Sequence, residues 1–171
     1  MLQVLRALSA QDLERRSIDV SDKLRDFPLF KNAQRIMVFY PLAGEPDLRG
    51  LMRQLLREKK LFLPVVDQHR SMLKPYPIGD LEHLTEGPYR TRQPEVVHAY
   101  TGAMPDCIIV PGVAFTVDGY RLGRGKGYYD RFLATLPQGV VTIGVCFSCQ
   151  LVADLPTHPT RDQKVHYVIT D

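Results

Sequence analysis

Long apolar runs are absent from this sequence. No stretch approaches the ~18 consecutive apolar residues that a membrane-spanning helix needs, and the N-terminal M-L-Q-V-L-R-A-L-S-A carries charge at Arg6 without the apolar centre of an export signal. A soluble, cytoplasmic protein is the expectation. Cysteine is scarce: Cys107, Cys146 and Cys149 make an odd count of three, in a chain of 171 residues that can bury a core without covalent staples. A disulfide framework therefore has little to rest on, and a reducing compartment fits better. Cys146 and Cys149 have C-x-x-C spacing, but no second ligand pair stands at a fixed distance, so buried thiols are expected there. The five histidines form no H-x-x-x-H unit. An excess of one charge is also missing. The net +3 is spread over 22 Lys and Arg and 19 Asp and Glu, which suits a small polyanion at least as well as nucleic acid. There is no internal repeat and no low-complexity tract.

What is present reads as alternating strands and helices. Ser9, followed by Asp12 and Glu14, makes a helix start with acidic groups at the positive end of the dipole, and the helix runs from Gln11 to about Phe27, where Pro28 ends it. Ile36 to Tyr40 is a short apolar run stopped by Pro41 and reads as a buried strand. Leu48, Leu51, Met52, Leu55 and Leu56 follow a 3.6-residue period, which predicts a helix from Asp47 to Glu58. The strand L-F-L-P-V-V comes next. From Asp67 to about Pro105, with Pro75, Pro77, Pro88 and Pro94, loops and short pieces over one face of a sheet are expected. After it D-C-I-I-V-P reads as a strand, Tyr128 opens a helix closed by Pro137, and Val140 to Phe147 and Val165 to Thr170 read as further strands. The pattern predicts one domain over residues 1–171, a three-layer α/β/α fold with an open, mainly parallel sheet flanked by helices.

Between a strand end and a helix start lies R-L-G-R-G-K-G-Y-Y-D-R, Arg121 to Arg131, at the sheet edge where open α/β folds bind ligands. Gly123, Gly125 and Gly127 alternate with Arg124 and Lys126. Without side chains at every second position, backbone N–H groups can approach and surround an anion. Arg121, Arg124 and Lys126 add mobile charge, and the helix start adds the positive end of its dipole. The loop is not a Walker A sequence, because Gly127 follows Lys126 where Ser or Thr belongs, and its third glycine falls one position short of G-x-G-x-x-G. Asp130, in the first helical turn, suffices as a cap-region residue; beside bound phosphates it is also what a hydrated magnesium ion requires. RNA binding is a rival reading, since arginines, glycines and paired tyrosines can hold a backbone and stack bases. Thermal stabilisation by ATP with magnesium, against a steep salt dependence with an oligonucleotide, separates the two.

The run P-G-V-A-F-T-V-D-G-Y-R-L-G-R-G-K-G-Y-Y-D-R-F-L, Pro111 to Leu133, closely resembles the signature of the 5-formyltetrahydrofolate cyclo-ligase family, also called methenyltetrahydrofolate synthetase. Weaker matches cover L-R-A-L-S-A, the strand I-M-V-F-Y with Glu45 after it, Gly87 to Pro94, and Leu155 to Thr170. The resemblance implies a ligase that uses ATP and Mg2+ to close a ring on a reduced folate, with small-molecule partners and no nucleic acid or membrane. The sequence sets no oligomeric state. By resemblance Arg121, Leu122, Gly123, Arg124, Gly125, Lys126 and Gly127 take the ATP phosphates, and Tyr128 and Tyr129 close over nucleotide and folate. Arg124, Lys126 and Tyr129 would carry the catalysis, Tyr40 and Glu45 would meet the folate, and Asp130 and Asp162 would hold the metal. Without the resemblance, Glu45 reads as a solvated loop acid, Tyr40 as a strand-end residue and Asp162 as an Asx-turn former.

Departures from the family pattern are equally specific. An ATP-contacting lysine followed by Leu-Arg usually stands upstream of the part that matches L-R-A-L-S-A, so either a different start or Arg6 or another base is expected to supply that contact. Thr116 stands where an aspartate follows Ala-Phe, the interval from Pro156 to Asp162 is one residue longer than the family pattern, and His166 occupies a commonly acidic position. Loss of one charge-assisted phosphate contact removes ~1.5 to 3 kcal/mol of binding. The alternative expectation is therefore a paralogue that keeps nucleotide binding but has lost or changed its folate activity.

Overall fold

The computed structural model describes residues 1–171 apart from Val97 and Ala99, and apart from the side chains of Leu2 and Arg6. In chain order the elements are α1 (Leu2–Ala7), α2 (Ala10–Asp26), α3 (Pro28–Asn32), β1 (Arg35–Met37), α4 (Arg49–Leu55), β2 (Lys60–Asp67) and β3 (Met72–Ile78). The hairpin of β4 (Leu84–Glu86) and β5 (Arg92–Pro94) precedes β6 (Cys107–Val110). A ribbon of β7 (Ala114–Phe115) and β8 (Arg121–Leu122) leads to α5 (Tyr128–Leu133), β9 (Val141–Val145) and β10 (Tyr167–Ile169).

Capping explains the first long helix. Ser9 Oγ accepts the Asp12 N–H at 3.0 Å, satisfying one of the orphan donors at the start of α2. Pro28 does more than end that helix: it occupies the first turn of α3, where its missing N–H removes nothing the helix would use.

A six-stranded sheet has the order β10-β9-β6-β1-β2-β3. Every pairing is parallel except β2 with β3. The strands bury alternate residues on opposite faces, as a pleat of period two requires. Ile36, Leu61, Leu63, Cys107, Ile109, Ile143 and Val145 pack with α2, α3 and α4; Met37, Phe62, Ile108 and Val110 pack with Phe132 and Leu133 of α5. Helices on both faces make the three layers that the sequence predicts.

The region expected to be loops contains β3, which pairs antiparallel with β2 from Leu61 to Asp67, with Pro64 opposite Pro75. Its prolines do not break it, because β3 lies at the sheet's edge, where an absent N–H leaves no inner ladder bond unmade. Near the sheet's other end, the ring of Phe115 packs where a side chain on Gly144 of β9 would have to sit. Among the described residues, no helix is long and apolar enough to cross a membrane.

From β1 the chain proceeds to one side through α4 and β2, and β6 then forms on the other side of β1. Loops after β1 and β6 therefore diverge at their carboxyl ends, and a crevice opens between them.

Candidate nucleotide and folate cleft

That crevice has a volume of about 260 Å³. Its apolar wall comes from Phe39, Leu42, Pro64, Val66 and Leu73, and its polar rim from Glu45, Arg124, Lys126 and Asp130. Tyr40, Gly123, Gly127, Tyr128 and Tyr129 line it too, so the strand end after β1 and the glycine loop after β8 share one space. Leu122, Gly125 and Asp162 do not line it.

Local backbone chemistry shapes the loop. Gly125 and Gly127 have φ of +81° and +64°, a region costly for residues with a Cβ. A Cβ at Gly123 or Gly125 would meet no atom within 4 Å, so the loop opens onto free space. The first bond of α5 runs from the Arg131 N–H to the Gly127 carbonyl, which leaves the earlier amides outside the helical ladder. Among the described residues, the amides from Gly123 to Gly127 donate to no protein acceptor. They are available to an anion.

The three cations expected to be mobile behave differently. Arg121 is buried: its side chain is 2% exposed, and its Nη2 donates to Asp130 Oδ1 at 2.8 Å. The Gln163 N–H donates to the same carboxylate oxygen at 3.2 Å. Arg121 is thus a fixed member of the wall with its charge already paired, because the β7–β8 ribbon folds it beneath the loop. Arg124 and Lys126 remain at the rim. Arg124 Nη2 lies 3.4 Å from Glu45 Oε1 and 3.4 Å from the Ala43 carbonyl oxygen, across the cleft. Lys126 Nζ lies 5.9 Å from the ring centroid of Tyr89 and forms no ion pair among the described residues.

Glu45 is no solvated loop acid. Its side chain is 9% exposed and accepts the Leu42 N–H at 2.9 Å. Burial pushes its carboxyl above the usual range, with the Leu42 N–H and Arg124 pulling the other way. Tyr129 stands near it, and burial together with the Glu45 charge raises the phenol far above its ordinary value. Its hydroxyl and Arg16 Nε are the buried polar side-chain atoms without a partner among the described residues. An orphaned hydroxyl in a ligand-sized cleft is a group waiting for a partner. Tyr40 lines the same cleft, with the Arg49 guanidinium 6.0 Å from its ring centroid.

Asp162 accepts the His158 N–H at 2.8 Å, closing a turn. Gln163, the next residue, is the one that touches Asp130. The two carboxylates expected to share a metal therefore sit on either side of one backbone link. Among the described residues no group of three or more His, Cys, Asp or Glu side chains gathers to hold an ion. The departures from the family pattern fall elsewhere. Thr116 is buried, and its Oγ1 accepts the Tyr120 N–H at 3.1 Å within the β7–β8 turn. The Thr142 N–H donates to His166 Nδ1 at 3.0 Å on the far part of the sheet. The side chain of Arg6, the expected substitute base, lies outside the described residues.

Sequence reasoning missed Tyr89, Thr91 and Arg92 as lining residues. Tyr89 and Arg90 sit at the β4–β5 turn with φ of +61° and +62°, and the Tyr89 hydroxyl lies 3.4 Å from that of Tyr128. The G-P-Y-R turn was the available signal, and nothing in it tells which cleft it overhangs.

Comparison with known proteins gives the family and the fold. The sequence pattern of the 5-formyltetrahydrofolate cyclo-ligase family matches residues 1–171. The mouse 5-formyltetrahydrofolate cyclo-ligase is 28% identical over 179 residues, covering 98% of this chain and 88% of the mouse protein. That of Escherichia coli K12 is 31% identical over 163 residues, covering 88% and 86%. The NMR structure of Aquifex aeolicus 5,10-methenyltetrahydrofolate synthetase superposes with a TM-score of 0.79 at 33% identity, covering 98% of this chain and 85% of that one. The Mycoplasma pneumoniae 5,10-methenyltetrahydrofolate synthetase gives 0.75 at 25% identity, covering 99% and 93%. With its sequence matched from end to end and its fold shared with solved members, the chain belongs to the 5-formyltetrahydrofolate cyclo-ligase family of ligases.

Proposed function

We propose that residues 1–171 act as one unit that cyclises 5-formyltetrahydrofolate to 5,10-methenyltetrahydrofolate at the expense of ATP. The observation that carries this reading is the run of amides from Gly123 to Gly127, free of protein acceptors among the described residues, at the rim of the cleft that also holds Glu45 and the Tyr129 hydroxyl, which has no partner among those residues. A triphosphate fits the first feature and a flat polar heterocycle the second.

The γ-phosphoryl group of ATP passes to the formyl oxygen and ADP departs. N10 attacks the activated carbon, the bond from that carbon to its oxygen breaks, phosphate leaves with the oxygen, and N10 loses its proton. Little covalent work falls to the protein, so catalysis is positioning and charge neutralisation. The loop amides with Arg124 and Lys126 hold the phosphates, where they meet the charge that develops on transfer. Glu45 and Tyr129 orient the pterin, and the apolar wall excludes water. Asp130 would offer a carboxylate oxygen to a hydrated magnesium ion, which takes one or two protein oxygens and fills its remaining positions with phosphate and water, and Asp162, one residue before the Gln163 N–H that Asp130 accepts, would be the second carboxylate. Such an ion would supply neutralising charge to the phosphates. Each of the two carboxylates has one oxygen engaged by protein donors, Oδ1 of Asp130 and Oδ2 of Asp162, which leaves the other for that role.

Purified protein with ATP, magnesium and 5-formyltetrahydrofolate should develop the near-ultraviolet absorbance of the methenyl product. Intact ATP binding without product would point to the altered paralogue instead, although the Thr116 and His166 departures sit outside the cleft. Tyr129→Phe supplies a second test. Removal of a buried hydroxyl without a partner should leave the ligand-free protein as stable as before, or more so by about 1 kcal/mol, in urea denaturation. Folate affinity, measured by titration calorimetry, should fall in the same variant.

A further inference from the structure

Arg131 is the one arginine of the R-L-G-R-G-K-G-Y-Y-D-R segment that points away from the cleft mouth and still touches the loop. Its Nη2 donates to the Lys126 carbonyl at 2.9 Å, and its Nε donates to the Ser71 carbonyl at 2.7 Å in the β2–β3 turn. Its Cζ lies 5.3 Å from the ring centroid of Tyr128. Among the described residues it forms no ion pair, so the whole guanidinium serves as a bridge between two backbone oxygens. The anchor at Ser71 is held in turn: its N–H donates to the Gln68 carbonyl at 3.3 Å, and its φ is +52°. A non-glycine residue keeps that conformation only where its surroundings enforce it.

Peptide geometry gives the bridge a consequence for the loop. The bond from Lys126 to Gly127 is trans, as are all the described peptide bonds. In a trans peptide the C=O and the following N–H lie in one plane and point in opposite directions across the C–N bond. Arg131 draws the Lys126 carbonyl toward the β2–β3 turn, which aims the Gly127 N–H away from that turn, and Gly127 itself lines the cleft. The same guanidinium occupies the space beside Gly127, with Nη1 2.8 Å from where a Cβ would stand.

We infer that Arg131 is a positioning residue: it ties the Lys126 carbonyl to the Ser71 carbonyl and so holds the Gly127 amide in register for a phosphate. It works through geometry rather than charge and touches no substrate itself. The inference rests on the reading of the glycine loop as the nucleotide site.

Three proteins test it: the unaltered chain, Arg131→Ala and Arg131→Lys. The lysine variant keeps the charge but has no planar fork with which to bridge two carbonyls. Titration calorimetry would measure a non-hydrolysable ATP analogue and 5-formyltetrahydrofolate separately, with melting temperatures alongside. The expected result is a nucleotide Kd raised roughly tenfold in both variants, the equivalent of one charge-assisted hydrogen bond, with folate Kd unchanged. Full nucleotide affinity in Arg131→Lys would show that charge alone matters and overturn the inference. So would equal weakening of both ligands with a lowered melting temperature, the mark of a merely structural residue, or unchanged affinity in Arg131→Ala. If the unaltered chain itself binds no nucleotide, the loop reading fails first, and that failure is distinct from the others.

Discussion

Asp130→Ala is expected to lower the stability of the ligand-free protein by about 3 kcal/mol, the lower end of what removal of one partner from a buried ion pair produces. The cause is the partner left behind. Arg121 has a side chain 2% exposed, and without Asp130 its remaining acceptor is the Gln163 carbonyl at 3.5 Å. A guanidinium cannot shed its proton to escape the burial. For a chain of this length, about 3 kcal/mol corresponds to a fall of roughly 6 to 12 °C in melting temperature. Thermal denaturation in the presence of a chelator isolates this effect from any metal role. Arg121→Met combined with Asp130→Ala should recover most of the loss, since an apolar replacement of both partners is often neutral. Arg121→Ala alone should be milder, because Asp130 is 23% exposed and keeps the Gln163 N–H. A ligand-free Asp130→Ala protein as stable as the parent would leave this carboxylate with a ligand-binding role alone.

The same pair shows where sequence reading stops. Arg121 stands in a basic run, and nothing in the run distinguishes it from Arg124 or Lys126. Its burial comes from the two-residue strands of the β7–β8 ribbon, too short to leave a periodic signal. The parallel strands were legible because apolar runs such as I-M-V and C-I-I-V are what a sheet covered on both faces demands. The edge strand β3 was not, because Pro75 and Pro77 act as breakers everywhere except at an edge, and an edge is a property of the assembled sheet. The cleft follows the same rule. Its loop was legible from glycine spacing, yet the reach of Tyr89 depends on two left-handed residues in a distant hairpin. Glu45 reads as a loop acid until the fold buries it against Tyr129 and Arg124.

Lys126→Ala should weaken ATP binding by ~10-fold or more while leaving the fold intact. The two halves of that expectation have separate grounds. Lys126 is exposed, forms no ion pair among the described residues, and contacts the protein chiefly through the ring of Tyr89 at 5.9 Å, so stability should stay within about 0.5 kcal/mol of the parent. Affinity has further to fall, because an ammonium group at the rim of an amide cradle faces the most highly charged part of the nucleotide. Calorimetric titrations with ATP and with adenosine distinguish this from general damage. Adenosine carries no phosphate, so its affinity should be the same for both proteins, while the ATP difference should shrink as salt is raised. Equal losses for the two ligands would mean that Lys126 supports the shape of the cleft rather than its charge, and the glycine loop would then need a different occupant.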